Sequence, residues 1–149
     1  MTEEEILNQW QTEGRIDPLQ LGNESLRKTQ LHARYYRLYI QAEREYRKAK
    51  DDLAQVHKEV YALYKDGPSK EDLKSGRVIH ASLLPKGAIN KVQELQVYID
   101  ADPKYIAAVE QVAQKNDIVG LLKSILGIIN NWNFTVGDAI KDYQFKLGK

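Results

Sequence analysis

Cysteine is absent from these 149 residues, which excludes a disulfide framework, a thiolate zinc site and a cysteine nucleophile. Histidine is scarce: His32, His57 and His80 lie far apart, and none sits in a metal-ligand spacing such as H-x-x-x-H. No glycine-rich phosphate loop or nucleotide motif is present. The acids Asp51-Asp52 and Asp100/Asp102 read as a solvated helix flank and a cap before Pro103. A catalyst needs a nucleophile, a base or a metal in a pocket, so the expectation is a protein that is not an enzyme and holds neither cofactor nor metal. Long apolar runs are missing too. The longest, IVGLLKSILGII at 118–129, is broken by Lys123 and falls short of the roughly 20 residues of a membrane span. The opening MTEEEILNQW is acidic and polar, unlike a secretory signal, and this predicts a cytoplasmic protein without a membrane partner.

A net excess of one charge is also lacking, with 22 Lys and Arg against 21 Asp and Glu, so any polyanion must be met by a local patch. With 29% charged residues, negative mean hydropathy and only 4 prolines, the composition favours a helical, surface-rich chain.

Residues 2–12 read as a short helix, since Glu3, Glu4 and Glu5 suit a helix N-terminus and Gly14 closes it. Ile16-Asp17-Pro18 is a start signal, Gly22 interrupts, and Asn23 caps a second start. From about Glu24 to Asp66 nothing breaks the helix until Gly67-Pro68. Tyr35, Leu38, Ala42, Tyr46, Ala49, Leu53, Val56, Val60 and Leu63 step by threes and fours, a coiled-coil-type seam that wants a partner helix. Residues 67–85 hold at most a turn of helix at 69–74. A short helix at Ala88–Gln96 and an extended VYIDADP at 97–103 lead to a helix from Pro103 to Ile129. Asn130 to Asn133 make a turn, and Thr135 with Asp138 resembles a capping box for a last helix to Leu147. The organisation is one domain: an N-terminal helix (1–15), a long basic helical region (16–66), a connector (67–102) and C-terminal oligomerisation helices (103–149).

Charge is distributed unevenly along the long helix. Residues 24–50 carry eight bases and three acids, net +5, whereas residues 51–66 carry two bases and four acids, net −2. Arg27, Arg34, Arg37, Arg44, Arg47, Lys48 and Lys58 occupy a broad arc away from the seam. A charged helix face is usually just solvated, yet most of these arginines lack an acid four residues earlier. Arginine forks with interleaved rings suit phosphate contact plus base stacking. Tyr35, Tyr39 and Tyr46 lie on or beside the seam and read as core; Tyr36 and Tyr61 point off it and are the better stacking candidates. A single face of a few cations binds weakly, but repeated around a ring of subunits it binds strongly. A protein-only coiled-coil scaffold and a basic membrane-surface helix remain as alternatives. Leu121, Leu122, Ile125, Leu126 and Ile129 fit an intramolecular core or a subunit interface, and the interface is favoured because a thin helical chain has little interior to hide them. Trp10 and Trp132 read as packing anchors, with a subunit contact as the alternative for Trp132.

The string "IDPLQLGNESLRKTQLHARYYRLYIQAEREYRK" resembles the opening of the UvsY recombination mediators of T-even-like bacteriophages. The likeness continues through "VYALYKDG" and "VQELQVYIDADP" to "ILGIINNWNFTVGDAIKDYQFKLGK", and so covers about residues 15–149. It implies an all-α fold, a long coiled-coil-type helix with a C-terminal helical hairpin, forming a ring of six or seven copies. It also implies a role without catalysis: binding single-stranded DNA and loading a phage RecA-like recombinase onto DNA coated by the phage single-strand-binding protein, in the cytoplasm of the infected bacterial host. The DNA-binding residues expected are Arg34, Arg37, Arg44, Arg47, Lys48 and Lys58, with Tyr36 as a stacking group. The family's Lys-x-Arg pair falls on Lys58 and Val60, so the lysine is retained and the arginine is not. Oligomerisation in the family is C-terminal, which assigns it here to Leu121, Leu122, Ile125, Leu126, Ile129, Trp132 and Phe134.

Overall fold

The computed structural model describes residues 1–17, 21–66 and 92–148, and among these every regular element is an α-helix. Helix α1, Glu3–Glu13, opens with a capping box. Thr2 Oγ1 accepts from the Glu5 amide at 3.2 Å while Glu5 Oε2 accepts from the Thr2 amide at 2.8 Å. Two amides that a helix start would leave unpaired are thereby satisfied. Gly14 ends α1, its N–H bonding the Trp10 carbonyl at 2.7 Å.

Helix α2 spans Leu21–Asp66, 46 residues or about 69 Å at 1.5 Å per residue. It starts three residues earlier than expected, and neither Gly22 nor Asn23 interrupts it. The expected Asp17-Pro18 start runs into residues 18–20, outside the described residues. The seam is where periodicity puts it: Leu31, Tyr35, Ala42, Ala49, Val60 and Leu63 are buried, and Leu38, Tyr46, Leu53 and Val56 half-buried.

Helix α3 is Val92–Ala101. The expected extended stretch at 97–103 is therefore corrected: the helix runs on to 101 because Leu95 and Ile99, one turn apart, are both buried. The expected turn at 69–74 and the start at Ala88 lie outside the described residues. Helix α4, Pro103–Asn130, begins as a cap directly before Pro103 predicts. Asp102 Oδ1 accepts from the amides of Lys104 (2.9 Å) and Tyr105 (3.3 Å). Helix α5 is Trp132–Lys146. The turn expected over Asn130–Asn133 shrinks to Asn131 alone, and Thr135, expected to cap, lies inside the helix.

The chain divides into two compact units, one formed by residues 1–45 and 115–149, the other by residues 46–114. In the first, Ile6 of α1, Leu31, Tyr35 and Ala42 of α2, and Leu122, Ile125, Leu126 and Ile129 of α4 share a core with Trp132. In the second, Val60, Leu63 and Tyr64 of α2 pack with Leu95 and Ile99 of α3, and the Tyr64 hydroxyl donates to Asp102 Oδ2 at 3.0 Å.

Most of the residues expected at the assembly surface lie in this core. Leu122, Ile125, Leu126, Ile129 and Trp132 are buried against α1 and α2 of the same chain, and half-buried Leu121 packs on the same cluster. The short N-terminal helix supplies the cover that a thin chain was expected to lack. Phe134 falls within α5, with its side chain outside the described residues.

Candidate nucleic-acid interface

The first unit decides which of its cations are available. Arg27 is not: its guanidinium donates to the carbonyls of Glu13 (2.8 Å) and Arg15 (2.6 Å), pairs with Glu24 and lies 5.3 Å over the Trp132 ring. The Trp132 indole in turn donates to the Glu24 carbonyl at 2.8 Å. Arg27 therefore ties the end of α1 to the start of α2. Arg34 is held by Glu13 Oε2 in an ion pair and lies 5.7 Å from the Tyr35 ring centroid. Glu13 also accepts from the Tyr35 hydroxyl at 3.0 Å. Tyr35 is fully buried, and burial raises its pKa above 10.0 against the opposing pull of Arg34.

Arg37 and Arg44 are exposed on the outer side of α2, and among the described residues neither forms an ion pair. The reason lies in the acids. Of the three in residues 24–50, Glu24 faces Arg27, and Glu43 accepts from the Tyr39 hydroxyl at 2.9 Å. Glu45 meets Lys115 Nζ at 3.0 Å and Gln41 at 3.3 Å. The bond from Lys115 lowers the Glu45 pKa, against burial, and the bond to Glu43 raises that of Tyr39. Every acid of this stretch is thus turned to a partner other than Arg37 or Arg44, and among the described residues no carboxylate pairs with either.

Tyr36, 48% exposed, stands beside Arg37, with His32 stacked on it at 5.9 Å between centroids and 10° between planes. Tyr39 is half-buried beside it.

The second unit carries Arg47, Lys48 and Lys58, all exposed and, among the described residues, in no ion pair. Lys50 lies 4.4 Å over the Tyr46 ring and Lys65 5.4 Å over Tyr61. His57 is stacked on Tyr61 at 6.4 Å and meets Tyr105 edge-on at 6.0 Å. Val60 is fully buried, so the side chain in the place of the family's arginine is core.

The sequence leaves Arg34 among the free cations because its partner Glu13 is distant along the chain, whereas the acid that takes Arg27 is Glu24, three residues before it. The spacing His-x-x-x-Tyr at 32/36 and 57/61, which places each histidine beside a tyrosine, is legible in the sequence. Among the described residues no His, Asp and Glu cluster suits a metal ion, and no helix is long and apolar enough to cross a membrane. A small cavity in the first unit, lined by Met1, Ile6, Leu38 and Leu122 among others, offers the carboxylate of Glu45, which is already bonded to Lys115.

A family model described as UvsY, recombination, repair and ssDNA binding protein, matches residues 9–149. No curated protein and no solved structure gives a significant match.

Proposed function

The chain belongs to the UvsY family of recombination, repair and single-stranded-DNA-binding proteins, and on that premise we propose that it is a recombination mediator. It binds single-stranded DNA through α2 and helps a phage RecA-like recombinase load onto DNA covered by single-strand-binding protein, in the host cytoplasm. Arg37 and Arg44 of the first unit, and Arg47, Lys48 and Lys58 of the second, hold phosphates. Tyr36 stacks on a base, and the Glu13 carboxylate competes with the strand for Arg34. The observation that carries this reading is the diversion of Glu24, Glu43 and Glu45 to Arg27, Tyr39 and Lys115. A merely solvated helix face has no reason to keep its acids from Arg37 and Arg44, whereas phosphate binding is served by cations free of carboxylates.

A few cations per copy bind weakly, so the protein works as a ring of six or seven copies whose faces add along one strand. The contacts between copies fall on exposed apolar side chains at the end of α5 and just beyond it, with Tyr143 50%, Phe145 82% and Leu147 53% exposed, in place of the buried residues of α4.

Binding of a labelled single-stranded oligonucleotide across a salt series tests the function. Arg37→Glu with Arg44→Glu should weaken binding and flatten the salt dependence. Equal affinity with the charges reversed, or no binding by the native protein even at low salt, would leave the protein-only scaffold as the better reading. Sedimentation mass with and without DNA tests the ring, and Phe145→Lys should lower that mass.

A further inference from the structure

Two of the three histidines stand four residues before a tyrosine on α2, His32 before Tyr36 and His57 before Tyr61. Side chains four apart are neighbours on a helix, and both pairs of rings are nearly parallel, at 10° and 25°. Packing on the core does not explain either tyrosine: Tyr36 is 48% and Tyr61 36% exposed, and neither belongs to a core cluster. The centroid separations of 5.9 and 6.4 Å exceed the roughly 3.5–4.0 Å of optimal carbon contact, so the rings overlap only partly and leave π-surface open.

Each pair also has a cation at its side. Arg37 follows Tyr36, exposed and, among the described residues, without an ion pair. Lys58 follows His57 in the same condition, and Lys65 Nζ lies 5.4 Å over the Tyr61 ring. Tyr105 meets the far ring of the second pair edge-on, which fixes the orientation of His57. An aromatic pair at this spacing stabilises a helix on its own account. That gain calls for neither exposed ring faces nor an adjacent uncancelled charge, and certainly not for both of them twice.

We propose that His32–Tyr36 and His57–Tyr61 are base-stacking subsites, each taking an unpaired nucleobase on its rings while the adjacent cation takes the phosphate. This rests on the function proposed above and deepens it. In a duplex each base face is covered by its neighbour, so only a single strand can use the rings, and these subsites make the protein prefer single-stranded DNA to duplex. Because every base has a π-face, they do so without reading sequence.

The experiment compares the full-length protein with Tyr36→Leu/Tyr61→Leu and with Tyr36→Phe/Tyr61→Phe. The probes are a labelled oligodeoxythymidine and a strand of equal length built of abasic units. Native protein should bind the base-bearing strand more tightly than the abasic one. The leucine variant should lose that difference, by about 5- to 150-fold per stacked base, with its salt slope unchanged. The phenylalanine variant should keep it. Equal preference for bases in native and leucine proteins, both binding in a salt-dependent way, overturns the subsites and leaves the function standing. Failure of the native protein to bind either strand overturns both. The tyrosines are exposed on a helix, so circular dichroism should find all three proteins equally helical.

Discussion

On the function proposed above, Glu13 takes the place of a phosphate at Arg34. Its Oε2 holds the Arg34 guanidinium and accepts from the Tyr35 hydroxyl at 3.0 Å, so α1 would carry a carboxylate in competition with DNA for one arginine of α2. Glu13→Gln removes the charge and keeps an oxygen for Tyr35. The ion pair is partly exposed, 47% at Arg34 and 21% at Glu13, and such pairs contribute only about 0.2–1 kcal/mol. The loss is small beside the roughly 5–15 kcal/mol of a typical domain, and the variant should stay folded. Arg34 then adds one phosphate contact per copy. Each contact to a single strand steepens the log–log salt dependence by about 0.7. Between about 50 and 200 mM salt the logarithm changes by about 0.6, so the advantage of the variant should shrink by about 2.5-fold over that range for each copy engaged on the strand. Fluorescence anisotropy with a labelled oligodeoxythymidine across a salt series measures both quantities. The variant should bind more tightly than native protein at low salt and lose its lead as salt rises. Parallel salt lines, or weaker binding at unchanged helicity, would refute the competition.

Other perturbations test the frame of the interface. A Cβ added at Gly14 would lie 2.7 Å from Trp10 Cε2 and 2.9 Å from the Trp10 carbonyl oxygen. Gly14→Ala should therefore cost about 1–3 kcal/mol, read as a fall of several degrees in Tm with a changed near-ultraviolet signal from Trp10; an unchanged Tm would contradict the close approach. Trp132→Phe leaves the buried Glu24 carbonyl without its indole donor and should cost about 1–3 kcal/mol in denaturant unfolding, Trp132→Ala more. Glu45 is depressed below its ordinary value of 4.5 chiefly by the bond from Lys115. Its folded pKa is the lower one, so its stabilisation is complete above pH 4.5 and is lost as pH falls through the folded value. Native Tm should fall more steeply below pH 4.5 than that of Glu45→Gln, and identical slopes would count against the contact.

Legibility in the sequence followed the range of the interactions. The body of α2 was readable because no breaker occurs between Glu24 and Asp66 and its seam is periodic. Its first turn was not, since Gly22 and Asn23 are poor helix formers that the rest of the long helix carries along. Val97, Tyr98 and Ile99 favour extended chain by propensity, and burial of Leu95 and Ile99 overrides that preference. The apolar stretch at 118–129 was legible as an interface but not its owner, because α1, the cover, lies more than a hundred residues away. The same holds at the candidate site. Exposure of Arg37 and Arg44 follows from their angle on the helix, whereas the capture of Arg34 by Glu13 and of Glu45 by Lys115 joins residues far apart in sequence.

The knot at Arg27 bears on how this protein is handled. Trimming the first fourteen residues as a dispensable leader would remove the Glu13 carbonyl that Arg27 grips, the carboxylate over Arg34, and the Ile6 and Trp10 side chains that roof Tyr35. A shortened preparation would then bare greasy surface and an unmatched charge together, and stickiness or altered DNA affinity in it would report on the cut and not on the native molecule.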